Sequence, residues 1–205
     1  MEGRYGQVSR ILATPANPET PAQMTIRRIL RKVSARWRAL QQTQRTAWIG
    51  AAQNVKTHSR LGQNGPLTGA QLFNKINCTL ALFGQDQVDA PPPIPQFADL
   101  APQNLVITNT AGVVALKLTC PTDPGSNTIV RASAPLSQGR QSWSDFRVLG
   151  TCPAPVQGSA NITSLYTARY GVPPVGKKVY VQVNQFVNGW ESLPVSFWGI
   201  VPASA

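Results

Sequence analysis

Negatively charged side chains are scarce in this sequence. The 205 residues include 8 Asp and Glu against 19 Lys and Arg, which gives a formal net charge of +11. No carboxylate occurs from Pro21 to Gln85, and those elsewhere are scattered. Hard metal ions need clustered oxygen ligands, and paired-acid catalysis needs two carboxylates a few ångströms apart. The sequence therefore contains no candidate for either kind of site.

Histidine and cysteine are equally sparse. His58 is the single histidine, in a loop-like stretch over residues 58–65, so a nucleophile triad has one conceivable base and no nucleophile motif beside it. The three cysteines, Cys78, Cys120 and Cys152, lack C-x-x-C spacing, so we expect no metal cluster. A Cys120–Cys152 disulfide and free thiols in a reducing compartment both stay open, and we favour the free thiols.

Several longer patterns are also missing. Neither phosphate-binding glycine motif, G-x-x-x-x-G-K-[ST] or G-x-G-x-x-G, occurs. We therefore predict a protein that is not an enzyme, uses no cofactor and has no small-molecule substrate. No run approaches the ~18 apolar residues of a transmembrane helix, so we expect no membrane span. The N-terminal stretch has no apolar core or cleavage pattern, and we expect no secretory signal.

The positive charge is concentrated in the first part of the chain. Residues 1–85 contain twelve Lys and Arg against two Glu, whereas residues 86–205 contain seven against six Asp and Glu. Such asymmetry is typical of proteins that meet nucleic acid, an anionic surface or an acidic protein.

The strongest helix pattern begins at Thr20, which forms a capping box with Gln23 and is followed by Pro21 at the first helical position. Helical spacing then gives one apolar stripe: Ile26, Ile29, Leu30, Val33, Trp37 and Leu40. Cations fill the other positions and continue beyond the helix, and together they form the candidate binding site: Arg27, Arg28, Arg31, Lys32, Arg36, Arg38 and Arg45. Such a face can simply be solvated, but like charges without local anions repel, which favours an external polyanion or an acidic neighbour.

Four consecutive parts are predicted. Residues 1–19 form an extended arm that we expect to lie against a neighbouring subunit, and residues 20–85 form a basic helical domain. Its second helix carries Trp48, which we expect to pack on Trp37, and its third begins with a capping box of Thr68 and Gln71. Residues 86–104 form a stiff proline-rich linker, and residues 105–205 a β-sandwich domain.

The period of the apolar pattern changes to two after the linker, which indicates strands. Seven are predicted: Leu105–Thr108, Val113–Thr119, Thr128–Ser133, Phe146–Leu149, Ser159–Thr163, Lys178–Phe186 and Val195–Ile200. Turn residues separate them. The fold class is therefore α+β, with a small three-helix unit followed by an antiparallel seven-stranded β-sandwich.

Two resemblances add to this prediction. The run V-Y-V-Q-V-N at residues 179–184 and N-G-W-E-S-L-P at residues 188–194 resemble strand F, the F–G turn and the start of strand G of a fibronectin type III domain. That resemblance implies a binding or spacing module. The runs N-P-E-T-P-A-Q at 17–23, W-R-A-L at 37–40, Q-R-T-A-W at 44–48 and L-T-G-A-Q-L-F at 67–73 resemble an uncharacterised family of bacterial and phage-like genomes. That resemblance implies a phage-like setting.

Three functions are compatible with these features. The first is a structural protein of a phage-like virion, in the capsid, head or tail, made in the host cytoplasm and built into a homo-oligomer or multi-subunit assembly. The second is a soluble nucleic-acid-binding protein without sequence preference, because no base-reading constellation is visible. The third is a surface adhesin based on the sandwich, which the expected lack of a signal disfavours. We expect the first.

Overall fold

The computed structural model describes residues 17, 19–56 and 65–204. Most of the predicted arm and the predicted loop with His58 lie outside the described residues. The described residues form four α-helices and eight β-strands. The helices are α1 (Pro21–Ala39), α2 (Gln42–Ala52), α3 (Gly69–Leu82) and α4 (Thr163–Tyr170). The strands are β1 (Asn104–Thr110), β2 (Val113–Thr119), β3 (Thr128–Ala132), β4 (Arg147–Thr151), β5 (Ser159–Asn161), β6 (Lys178–Val187), β7 (Trp190–Glu191) and β8 (Val195–Ile200).

Side chains cap α1 and α3 as predicted. Thr20 Oγ1 accepts from the Gln23 backbone N–H at 3.3 Å, and Gln23 Oε1 accepts from the Thr20 N–H at 3.3 Å. Thr68 and Gln71 repeat this exchange at 3.2 and 2.9 Å. Each box satisfies backbone donors that the first helical turn leaves without partners. The sequence therefore fixes the starts of both helices locally.

Helix α3 is the centre of the helical part, because α1 and α2 both pack against it. The rings of Trp37 and Trp48 each lie 5.2 Å from the ring of Phe73, between centroids. The predicted meeting of the two tryptophans is thus organised around Phe73 of α3. At Gly69 an added Cβ would lie 2.8 Å from Ile49, so this glycine lets α2 and α3 approach closely.

The strands form two antiparallel sheets in a sandwich-like arrangement. One has three strands in the order β1-β2-β5, and the other has five, in which β3 lies between β4 and β6, and β7 and β8 both pair with β6. Alternate residues of β2 point inwards, with Val114, Leu116 and Leu118 buried. They join inward-facing residues of β6 in a core that both sheets share.

The structure departs from the predicted elements in two places. Residues Thr163–Tyr170 form α4, so the strand predicted over Ser159–Thr163 ends earlier, at Asn161, and Thr163 begins the helix. This helix is fixed by its tyrosines, since Tyr166 donates its hydroxyl to the Ser133 carbonyl at 3.2 Å and Tyr170 to the Ala132 carbonyl at 3.1 Å. The second departure is β7, a two-residue strand formed by Trp190 and Glu191 after a tight turn.

The helices and the larger sheet share a hydrophobic cluster. Ile129, Phe186 and Trp190 of the sheet lie in the same cluster as the buried residues of α1, α2 and α3. The rings of Phe83 and Phe186 are 4.9 Å apart. This contact joins two parts of the chain that are distant in sequence.

The proline-rich segment accepts a hydrogen bond from each of two tryptophans. The Trp48 indole N–H donates to the Asp89 carbonyl at 2.7 Å, and the Trp190 indole N–H donates to the Pro92 carbonyl at 3.2 Å. Buried Asn77 of α3 accepts from the Val88 N–H at 2.7 Å and donates to the Val88 carbonyl at 3.2 Å. These bonds hold the segment against α2, α3 and β7 and so position Asp89. Across the described ranges, no helix combines the length and apolarity that crossing a membrane requires.

Candidate functional site: the cationic face of the first helix

Helix α1 is covered over only part of its length. Val33, in its second half, and Leu40, the residue that caps its C-terminal end, are buried. Ile26 and Leu30, which belong to the same apolar stripe, remain 42% and 44% exposed, and Met24 is exposed as well. The first two turns therefore extend beyond the helical core, with both apolar and cationic side chains open to solvent.

Four of the seven predicted cations have no side-chain partner among the described residues. The side chains of Arg28, Arg31, Lys32 and Arg38 are exposed, and none makes a hydrogen bond or ion pair with another described residue. Arg28 and Lys32 are four residues apart, about one helical turn, and Arg31 and Arg38 are seven apart, about two turns. The two pairs thus form two rows along α1. We call these four residues the cationic face.

Arg36 is placed differently from the sequence expectation. Its Nε donates to Asp89 Oδ1 at 2.6 Å, which joins α1 to the proline-rich segment. This hydrogen bond is the main reason that the pKa of Asp89 lies below its usual value and the pKa of Arg36 above its own. Arg36 therefore has a carboxylate partner within the chain and does not belong to the cationic face.

Arg27 and Arg45 are also held by internal hydrogen bonds. Arg27 Nη2 donates to Asn17 Oδ1 at 2.6 Å, and Asn17 in turn donates to Glu19, which lines a hollow together with Arg27. Arg45 Nη2 donates to the Arg38 carbonyl at 2.7 Å, near the end of α1. A cation at the C-terminal end of a helix satisfies a free carbonyl and interacts favourably with the helix dipole. Arg45 thus stabilises the α1–α2 junction.

A groove of about 490 Å³ runs along one side of the cationic face. Arg28, Lys32 and Arg36 line one wall, and the chain after α3, including Asp86 and Gln87, lines the other. Asp86 and Asp89 partly neutralise this side. Arg31 and Arg38 belong to the other row and do not line the groove. Both rows have an acidic neighbour, because Glu19 lines a second hollow with Arg28 and Arg31.

Sequence reasoning identified the cations but missed that Asp89 pairs with Arg36 and so separates it from the other cations. The residues that line the groove come from α1 and from a segment some fifty positions later, and no local spacing relates the two. Over the parts of the chain that the structure describes, no group of three or more His, Cys, Asp or Glu side chains could hold a metal ion. Comparisons with family models, curated protein sequences and solved structures returned no match.

Proposed function

We propose that this protein is a non-enzymatic structural component of a phage-like virion, in which α1 contacts nucleic acid or an acidic neighbouring subunit. The observation that carries the proposal is the cationic face itself. Four exposed cations stand on one helix without a carboxylate partner among the described residues. An external anion would relieve their mutual repulsion.

The exposed apolar residues of α1 support an assembly role. Ile26 and Leu30 continue the stripe that Val33 begins, yet they are about two-fifths exposed. A partner that covers the first turns of α1 would bury this apolar surface at the same time as it meets Arg31. An apolar core with a polar rim, in which arginine is enriched, is typical of protein–protein interfaces.

The sheets support the resemblance to a fibronectin type III domain as a packing or exposed module. Two antiparallel sheets share one core, and strands β1, β2 and β5 lie opposite β4, β3, β6 and β8. This division is compatible with an immunoglobulin-like sandwich. The proposal places this module at the surface of the particle or between laterally packed subunits.

A charge-reversal experiment tests the proposal. The triple variant Arg28→Glu, Arg31→Glu, Arg38→Glu should weaken binding to its anionic partner. The probe is a mixed-sequence DNA duplex titrated at several salt concentrations. For the unchanged protein, four phosphate contacts predict a slope of log K against log salt of about −3.6. Its DNA affinity should therefore fall on the order of 100-fold between 50 and 200 mM salt.

The matched control reverses three exposed cations of the β part, Lys117→Glu, Arg169→Glu and Lys177→Glu. It changes the net charge equally and leaves α1 intact, so binding should fall much less than in the α1 variant. Equal losses in the two variants would show that net charge acts, and the assignment to α1 would be wrong. An unchanged affinity in the α1 variant would show that the cationic face does not contact nucleic acid.

Measurement of mass in solution separates assembly from the alternative, a soluble nucleic-acid-binding protein without sequence preference. Multi-angle light scattering should show species larger than the 22.1 kDa chain when the natural partners are present, and the α1 variant should reduce them. A strictly monomeric protein that binds DNA through α1 would favour the alternative. A monomer that neither assembles nor binds DNA would contradict both functions.

A further inference from the structure

Two thiols meet between the sheets of the β part. Cys120 directly follows β2 of the three-stranded sheet, and Cys152 directly follows β4 of the five-stranded sheet. Both are buried, at 0% and 6% exposure, both are free, and both belong to the core that the sheets share. Their side chains lie close enough for each thiol to affect the pKa of the other.

The backbone holds both cysteines in place. The Cys120 N–H donates to the Gly158 carbonyl at 2.8 Å, and the Cys152 N–H donates to the Thr128 carbonyl at 2.7 Å. Each bond extends the strand pairing by one residue beyond the sheet. Strand pairing therefore fixes the backbone at both cysteines, which keeps each thiol in its place in the shared core.

We propose that Cys120 and Cys152 form a disulfide that joins the two sheets when the chain folds in the presence of a small-molecule disulfide such as oxidised glutathione. The alternative for paired thiols is a metal. Within the described ranges no third His, Cys, Asp or Glu completes a ligand group around them, so the pair suits a crosslink. This inference does not depend on the proposed function.

The reaction proceeds by two exchanges. One cysteine thiolate attacks a sulfur of the oxidant, forms a mixed disulfide and releases one small thiolate. The second cysteine loses its proton and attacks the protein-side sulfur, which forms the Cys120–Cys152 bond and releases the second small thiolate. The two cysteine thiols are oxidised by two electrons, the oxidant is reduced to two thiols, and the cysteine protons are transferred to them.

Burial determines when this reaction is fast. Removal from water raises the pKa of both thiols, that of Cys152 to about 12, so very little reactive thiolate exists in the folded protein near neutral pH. Oxidation should therefore be slow in the folded protein and fast during folding. The formed bond should in turn resist reductants that cannot enter the core.

The test uses the full chain carrying Cys78→Ser, which removes the third thiol, a half-buried residue of the helical part. The protein is refolded with excess oxidised glutathione, and its thiols are counted in denaturant. We expect no titratable thiol, an intact mass lower by two hydrogen atoms, and one crosslinked peptide joining residues 120 and 152. The oxidised form should melt about 10 °C above the reduced form.

Single variants Cys120→Ser and Cys152→Ser serve as controls and should each retain one thiol or form a glutathione adduct. Should either fail to fold, peptide mapping of the Cys78→Ser protein alone still decides. Two free thiols, or two glutathione adducts, in correctly refolded protein after prolonged exposure to the oxidant would overturn the proposal. Crosslinks only between different molecules would overturn it equally.

Discussion

Gly189 lies where the turn between β6 and β7 meets α3. Its φ is 84° and that of Asn188 is 50°, so both central residues of this two-residue turn have positive φ. Such turns match the twist of antiparallel strands and favour the pair Asn-Gly. A Cβ added at Gly189 would overlap Cγ2 of Ile76. The glycine is thus required both by its backbone conformation and by its contact with a buried helical residue.

Gly189→Ala should therefore lower the free energy of unfolding by about 2–4 kcal/mol, which combines a positive-φ cost of 1–2 kcal/mol with overpacking against Ile76. Chemical denaturation monitored by circular dichroism measures it. Gly112→Ala is the matched control, because Gly112 also has positive φ, at 81°, but has open space around it. The Gly112→Ala variant should lose only the roughly 1–2 kcal/mol that positive φ costs an alanine. Equal losses for the two variants would show that the contact with Ile76 carries no energy.

Single residues also show what sequence reasoning could not supply. The cations of α1 were visible as a run, and four of them form the cationic face. The pairing of Arg36 was not visible, because Asp89 lies 53 positions later and comes near only when the proline-rich segment folds back along α1. Asn77 is a similar case, since its hydrogen bond with Val88 also requires the proline-rich segment to fold back onto the helices. Long-range pairing of this kind has no local signature.

Helices α1 and α3 were predictable because their signals are local. A cap, a first-turn proline or glycine and an apolar stripe all lie within one element. Helix α4 was not predictable in this way, because its eight residues are rich in tyrosine and threonine, which favour strands by propensity. Its helical form depends on hydroxyl bonds from Tyr166 and Tyr170 to carbonyls near the end of β3. Tertiary contacts therefore override propensity in α4.

The link between α1 and the proline-rich segment should depend on pH. The pKa of Asp89 is lowered in the folded state, chiefly by the hydrogen bond from Arg36. A carboxylate whose pKa is lowered by folding stabilises the folded state fully at pH values above its unfolded-state pKa, near 3.9. This stabilisation is lost as the pH falls through the folded-state pKa. The side chains of Arg36 and Asp89 are 36% and 44% exposed, so solvent screens the pair and its contribution is at most about 1 kcal/mol.

Asp89→Asn should accordingly lower the free energy of unfolding by no more than about 1 kcal/mol at pH 7 and by progressively less below pH 4. Denaturant unfolding at pH 7 and pH 3 measures the change. Asp86→Asn is the control, since Asp86 lines the groove beside Arg36 but makes no ion pair with another described residue. A loss for Asp89→Asn that is as large at pH 3 as at pH 7 would show that the ion pair is not its cause.

The shared hydrophobic cluster decides how the molecule behaves as a unit. Each part alone has a small core, and the helical part in particular buries few residues. Small cores are marginally stable because little surface is removed from water. Phe186 and Trp190 of the sheet contribute to the cluster, and Phe83 at the end of α3 packs on Phe186. The helices therefore gain stability from the sheet that the proline-rich segment connects to them.

Phe186→Ala should consequently destabilise the helices as well as the strands. Deletion of a buried phenylalanine costs about 3–5 kcal/mol. Amide hydrogen exchange followed by mass spectrometry should show protection falling together in α3 and β6. Leu193→Ala, an 86% exposed position of the same part, should leave the protection of α3 and β6 unchanged.

Because the cationic face is carried by α1, which packs on α3, Phe186→Ala should also weaken binding of anionic partners near its unfolding transition. If exchange accelerated in β6 while α3 kept its original protection, the two parts would be energetically independent and α1 would need no support from the sheets.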